Sequence, residues 1–147
     1  MIIIKNNTLT YNCTSYKCSL GKNGITDNKR EGDGCTPSGQ YFIKKIFYRE
    51  DRIKLPSLTF PIQIIKKNLG WCDDTNSMDY NKLIKFPFSE NAELLYREDN
   101  IYNIICEINY NENPIIKNMG SAIFIHIARD DFSPTEGCIA LSENDLV

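Results

Sequence analysis

A chain of 147 residues with net charge −2 and a sequence pI of about 5.4 suits one domain with a single core. Its 41% hydrophobic and 24% charged content is that of an ordinary globular protein, with no basic excess or polybasic run to suggest nucleic acid or an anionic membrane surface. No stretch approaches the roughly 18 apolar residues of a membrane span, so no transmembrane segment is expected.

In chain order the pattern is mostly β. Met1-Ile2-Ile3-Ile4-Lys5 lacks a charged leader and is far too short for a signal peptide; the chain reads as soluble. Ile2–Lys5 and Thr8–Tyr11 read as two short strands joined by Asn6-Asn7. Lys29 to Gly39 holds three glycines and a proline and reads as a loop, with Asp33 near Thr36 making a turn. Gln40 to Tyr48 is rich in β-branched and aromatic residues and reads as a strand, as do Pro61 to Lys67 and Ile101 to Tyr110. Trp71 to Ser77 reads as a loop, and Glu90 to Arg97 as a short helix. Ser121 to Ile127 is a nearly continuous apolar run whose length fits a buried strand. Asp130 to Gly137 is a further loop, from which a return strand is expected. At Ser142 a helix begins, with Ser142 as N-cap and Glu143 and Asp145 favouring the positive end of its dipole. It runs for about one turn, so either the natural chain continues past Val147 or a final element has been lost.

Cys13, Cys18, Cys35, Cys72, Cys106 and Cys138 are irregularly spaced, with no Cys-x-x-Cys. A disulfide framework and a zinc site are therefore the minor readings, and no metal or cofactor is expected. The single histidine, His126, closes the most apolar run, and Thr135-Glu136-Gly137-Cys138 follows a short polar loop. A returning strand can bring His126 beside Cys138. Imidazole beside a thiol takes its proton or pairs with the thiolate, and so makes the nucleophile. Gly137 allows a tight backbone and close substrate approach, and the N–H groups around Gly137 and Cys138 can face an oxyanion. On spacing alone, the alternative stands beside this one: a structural histidine and a core cysteine.

The flanking residues favour catalysis. Gly120-Ser121-Ala122-Ile123-Phe124-Ile125-His126 and Pro134-Thr135-Glu136-Gly137-Cys138-Ile139-Ala140-Leu141 resemble the signature of the L,D-transpeptidase (YkuD-type) catalytic domain. Lys29 to Gly39 resembles that family's Glu-Gly-Asp-x-x-Thr-Pro-x-Gly segment. Tyr48 to Arg52, Gly70 to Asp74, Tyr80-Asn81 and Leu95 to Arg97 resemble blocks of one subgroup, so the likeness runs from about residue 18 to 147.

The resemblance implies a mainly β fold: a YkuD-like β-sandwich or barrel of mixed sheets with one or two short helices, filling residues 1–147 as one domain. It implies Cys138 as nucleophile, His126 as base, Thr135 and Gly137 as shapers of the loop, and a backbone carbonyl near Thr135 orienting the imidazole. It implies peptidoglycan stem peptides as substrate, carbapenem-type inhibitors, no cofactor, and a place in the cell envelope or periplasm; without an export signal in this chain, a cytoplasmic place stays open. Many members carry Arg two residues after the cysteine, where this chain has Ala140, which bears on substrate preference. Arg49, Arg52 and Arg97 are candidates for a substrate carboxylate, against ion pairs with Glu50, Asp51, Glu98 and Asp99. Trp71 and Tyr80 are candidates for the groove wall, against loop packing. Asp73 and Asp74 are read as turn formers rather than an acid/base pair. Hydrolysis by water, a non-catalytic wall-binding module and a redox or metal protein are the competing functions.

Overall fold

A computed structural model describes residues 1–147. Its main feature is a nine-stranded mixed sheet in the order β6-β1-β2-β3-β14-β13-β12-β7-β8. The strands are β1 (Ile2–Lys5), β2 (Thr8–Tyr11), β3 (Thr14–Ser19), β6 (Gln40–Tyr41), β7 (Ile43–Tyr48), β8 (Ile62–Ile64), β12 (Ile104–Ile108), β13 (Phe124–Ile127) and β14 (Ile139–Leu141). A three-stranded sheet, β10-β9-β11, is built from β9 (Leu69–Cys72), β10 (Leu83–Lys85) and β11 (Ala92–Leu94). β4 (Ile25–Thr26) pairs in parallel with β5 (Thr36–Pro37), and α1 spans Glu143–Leu146.

The first hairpin forms as its sequence predicts. Lys5 pairs with Thr8, and Asn6 and Asn7 adopt φ 49° and 56°, the left-handed pair that a two-residue hairpin turn needs. Gln40 to Tyr48 divides at Phe42, because β6 pairs with β1 while β7 pairs with β12. Glu90 to Arg97 is not a helix. Ala92–Leu94 pairs with β9 as an edge strand, so tertiary pairing overrides local helix propensity. Trp71 and Cys72 likewise lie inside β9 rather than in a loop. Ser142 caps α1 as expected, its Oγ accepting from the Asp145 N–H at 3.1 Å.

Residues on β12 and β13 alternate between two cores. Ile104, Cys106, Ile125 and Ile127 join a cluster with Ile2, Leu9, Ile46, Ile139 and Leu141 on one face of the main sheet. Ile105 and Phe124 join Phe47, Trp71, Leu95 and Tyr102 on the other, beneath the three-stranded sheet. Both faces of these strands are thus covered, which explains why Ile123 to Ile127 is apolar without a polar alternation. His126 falls on the same face as Phe124 and Ile105, its cross-strand partner.

Candidate active site

β13 and β14 are parallel rather than the two arms of a returning hairpin. His126 pairs with Ala140, which sets Cys138, one residue ahead of β14, level with Phe124. Side chains two apart along a strand share a face, so Cys138 and His126 project to the same side on neighbouring strands. Both line one cavity of about 430 Å³, together with Lys29, Glu31, Asp73, Glu93, Arg97 and Tyr102.

Thr135 and Gly137 fix the loop before the cysteine. Thr135 Oγ1 donates to the Cys138 carbonyl at 2.6 Å and accepts from the Gly137 N–H at 3.1 Å. The Gly137 N–H is therefore occupied and does not face the cavity as a free donor. From the opposite side, buried Thr36 donates to the Gly137 carbonyl at 2.9 Å. Gly137 sits at φ 145°, and a Cβ there would meet the Cys35 carbonyl oxygen at 2.8 Å, so this position excludes a side chain.

The thiol is held by the strand beside it. Cys138 Sγ donates to the Ala122 carbonyl at 3.1 Å, and the Phe124 N–H reaches the sulfur at 3.4 Å. Ala122 adopts φ 52°, which also ends β13 short of Ser121. This left-handed residue is kept in place by Asn81, whose Oδ1 accepts both the Ala122 N–H at 3.1 Å and the Trp71 indole N–H at 2.9 Å. Tyr80 secures the preceding turn: its hydroxyl accepts from the Gly120 N–H at 3.0 Å and donates to Glu31 at 3.1 Å.

His126 is 5% exposed, with its Nδ1 bonded to the Ile127 carbonyl at 2.9 Å. A carbonyl accepts only from N–H, so the proton lies on Nδ1 and Nε2 is the basic nitrogen. The orienting carbonyl is that of Ile127; the Thr135 carbonyl instead accepts from the Lys22 N–H at 2.8 Å. Tyr102 packs edge-on against the imidazole at 5.3 Å and donates its hydroxyl to Glu93. Burial lowers the His126 pKa to about 4; Arg97 and Arg129 add to the shift and the Ile127 carbonyl opposes it. Burial, reinforced by Glu93, pushes the Cys138 thiol up to about 12, while the Phe124 N–H and Lys29 pull it back. The resting pair is thus a neutral thiol and a neutral imidazole, not hydrogen-bonded to each other.

The comparison with family models decides the family: the L,D-transpeptidase (YkuD) catalytic domain matches residues 1–147. The chain belongs to the L,D-transpeptidase catalytic-domain family. No curated protein and no solved structure matches it significantly. The family acts on peptidoglycan stem peptides. The mainly β architecture of curled and smaller sheets with one short helix is that of a YkuD domain. No helix is long and apolar enough to cross a membrane.

Within this L,D-transpeptidase domain the other candidates separate. Arg97 lines the cavity but is tied to Asp99 by two bonds of 2.8 and 2.7 Å. Arg49 is buried away from the cavity, bonded twice to Asp51 and stacked on Tyr96. Arg52 donates to the Glu98 and Asp99 carbonyls and lines a different depression. Trp71 belongs to the core, edge-on to Phe47 and Phe124. Neither it nor Tyr80 lines the cavity; they reach the site through Asn81 and Gly120. Asp74 accepts from the Asn76 and Asn91 N–H groups as a turn former, whereas Asp73 faces the cavity with a pKa raised by burial and by Asp74. All six cysteines are free. Lys29, Glu93 and Tyr102 escaped sequence reasoning, since nothing local to them marks a cavity wall.

Proposed function

We propose that this domain is a cysteine acyltransferase acting on peptidoglycan stem peptides, and so serves cell-wall biogenesis and cell shape in the envelope. The observation that carries the reading is the parallel register of β13 and β14, which gives the only histidine and a glycine-preceded cysteine one shared cavity. In the reaction His126 Nε2 takes the Cys138 proton as sulfur attacks the carbonyl of the third residue of a stem peptide. The tetrahedral intermediate collapses with cleavage of the C–N bond. His126 returns the proton to the departing amine, releasing the terminal D-amino acid and leaving a thioester on Cys138. An acceptor amine then attacks the thioester, His126 receives its proton, and the sulfur departs and is reprotonated. Water in place of the amine gives hydrolysis by the same steps. With the Gly137 N–H bonded to Thr135, the Cys138 N–H is the loop's donor toward the developing oxyanion.

A neutral resting pair suits this general-base order. The raised thiol and lowered imidazole disfavour a standing ion pair, so the proton moves only as the carbonyl arrives. The experiment incubates the protein with a tetrapeptide stem and, separately, with a carbapenem. A mass increase confined to Cys138 and release of a D-amino acid are expected, both abolished in Cys138→Ala. If no adduct forms and no D-amino acid is released, the proposal fails; if the stem is only shortened, the acceptor is water.

A further inference from the structure

Position 140, two residues past the nucleophile, is an alanine 1% exposed, so β14 offers the cavity no cation. Lys29, Arg97 and Arg129 are the cations of its wall. Arg97 and Arg129 act on the imidazole, and both reach Asp99, at 2.7 and 3.9 Å. Lys29 stands on the other side, against the nucleophile loop. Its side chain is 4% exposed, and its Nζ lies 3.5 Å from where a Gly137 Cβ would sit. Its Cε and Cγ lie 3.1 Å from the corresponding point on Gly120. Two glycines thus make room for one buried ammonium.

That ammonium has three N–H donors. Asp33 takes one, and the Arg30 carbonyl takes another at 3.0 Å. The third has no acceptor in the chain. Asp33 is itself held by the N–H groups of Arg30 at 2.8 Å and Cys35 at 2.9 Å, so the loop fixes the ion pair rather than the reverse. A buried cation anchored on one side, with a spare donor beside Gly137, suits a place where negative charge develops.

We propose that Lys29 stabilises the negative charge that forms at Cys138, first on sulfur and then on the carbonyl oxygen of the acylating substrate. The inference rests on Cys138 being the nucleophile. Of the other charged or titratable groups that line the cavity with Cys138, Glu93 from β11 acts on the sulfur and the sulfur acts on Tyr102 ahead of β12; His126 from β13, Glu31, Asp73, Arg97, Arg129 and Glu136 complete the wall. Glu93 opposes Lys29, Tyr102 and His126 are neutral near pH 7, and Lys29 is thus the one cation bearing directly on the thiolate.

Lys29→Met removes the charge and keeps an unbranched side chain one atom shorter. The rate of Cys138 alkylation at pH 8 is followed by peptide mass with two reagents of similar size, neutral iodoacetamide and anionic iodoacetate. Loss of an adjacent cation is expected to slow iodoacetamide by about tenfold, the effect of about one unit in thiol pKa, and iodoacetate by more. Slowing of both reagents alike, or of neither, overturns the proposal, because access and packing do not distinguish reagent charge. Asp33→Asn gives the opposite sign: both reagents react faster, iodoacetate more so. It decides the matter if Lys29→Met does not fold, and an unchanged reagent ratio in it also overturns the proposal. Carbapenem acylation of the wild type is measured alongside. A wild type that shows the charge effect but forms no adduct leaves Lys29 in place and removes the transpeptidase reading instead.

Discussion

The β13–β14 pair and the three-stranded sheet above it contribute to the same cavity in different ways. The pair holds Cys138 and His126, the proposed nucleophile and base, within thirteen residues of sequence, and parallel register sets them on one face. The small sheet and the segments flanking it contribute neither of these two side chains. They supply Glu93, Asp73 and the Asn81 amide, which set the electrostatics and hold the Ala122 turn. The proposed reacting residues are thus local in sequence, while the groups that act on them come from far away in the chain. The two contributions are separable by mutation.

The largest expected effect falls on the clasp between the two regions. Asn81→Ala removes an acceptor for two buried N–H groups and a donor to the Asn111 carbonyl at 2.7 Å. At about 1–3 kcal/mol for each buried group left unpaired, a destabilisation of about 3 kcal/mol is expected in urea unfolding. A loss below about 1 kcal/mol would mean that the small sheet does not hold Ala122.

Next in size is a pH effect belonging to the strand pair alone. The His126 pKa falls from 6.5 to about 4 on folding, so the unfolded chain binds the extra proton between those values. The contribution is complete above about pH 6.5, declines as pH falls and is exhausted near pH 4. Over that window the wild type is expected to lose about 3 kcal/mol more than His126→Gln. Parallel stability profiles for the two proteins would place the histidine in water rather than in the core.

The smallest effect comes from the small sheet acting on the thiol. Glu93 raises the Cys138 pKa, so Glu93→Gln is expected to speed iodoacetamide alkylation of Cys138 by a few-fold, with about 1 kcal/mol or less of stability change. An unchanged rate would confine the electrostatic control of the sulfur to the Lys29 side.

The same division explains what the sequence revealed. The Asn6-Asn7 turn, the apolar Ser121 to Ile127 run, of which Phe124–Ile127 forms β13, and the Ser142 cap were legible because each is written in adjacent residues. That Cys138 and His126 face one cavity was legible from a short motif, though not the parallel direction of β14, which depends on β14 slotting between β3 and β13. β11 was misread as helix because its strand character comes from β9 and not from Ala92–Leu94 itself. Lys29 read as an ordinary loop residue; only the approach of Gly120 and Gly137 reveals its burial. Tyr80 and Trp71 drew attention as aromatic groove residues, yet they serve as anchors, Tyr80 by its hydroxyl and Trp71 by its indole N–H.

The position of β14 also bears on how the molecule is made. Its neighbours in the sheet are β3 and β13, more than a hundred residues apart along the chain, and both precede it. Without Ile139–Leu141 the edges of β3 and β13 would lose the strand that joins them. The strand that follows Cys138 is therefore the one that joins the two halves of the sheet. A chain cut before residue 138 would hold His126 without Cys138 in the cavity, so one strand both joins the sheet and completes the pair.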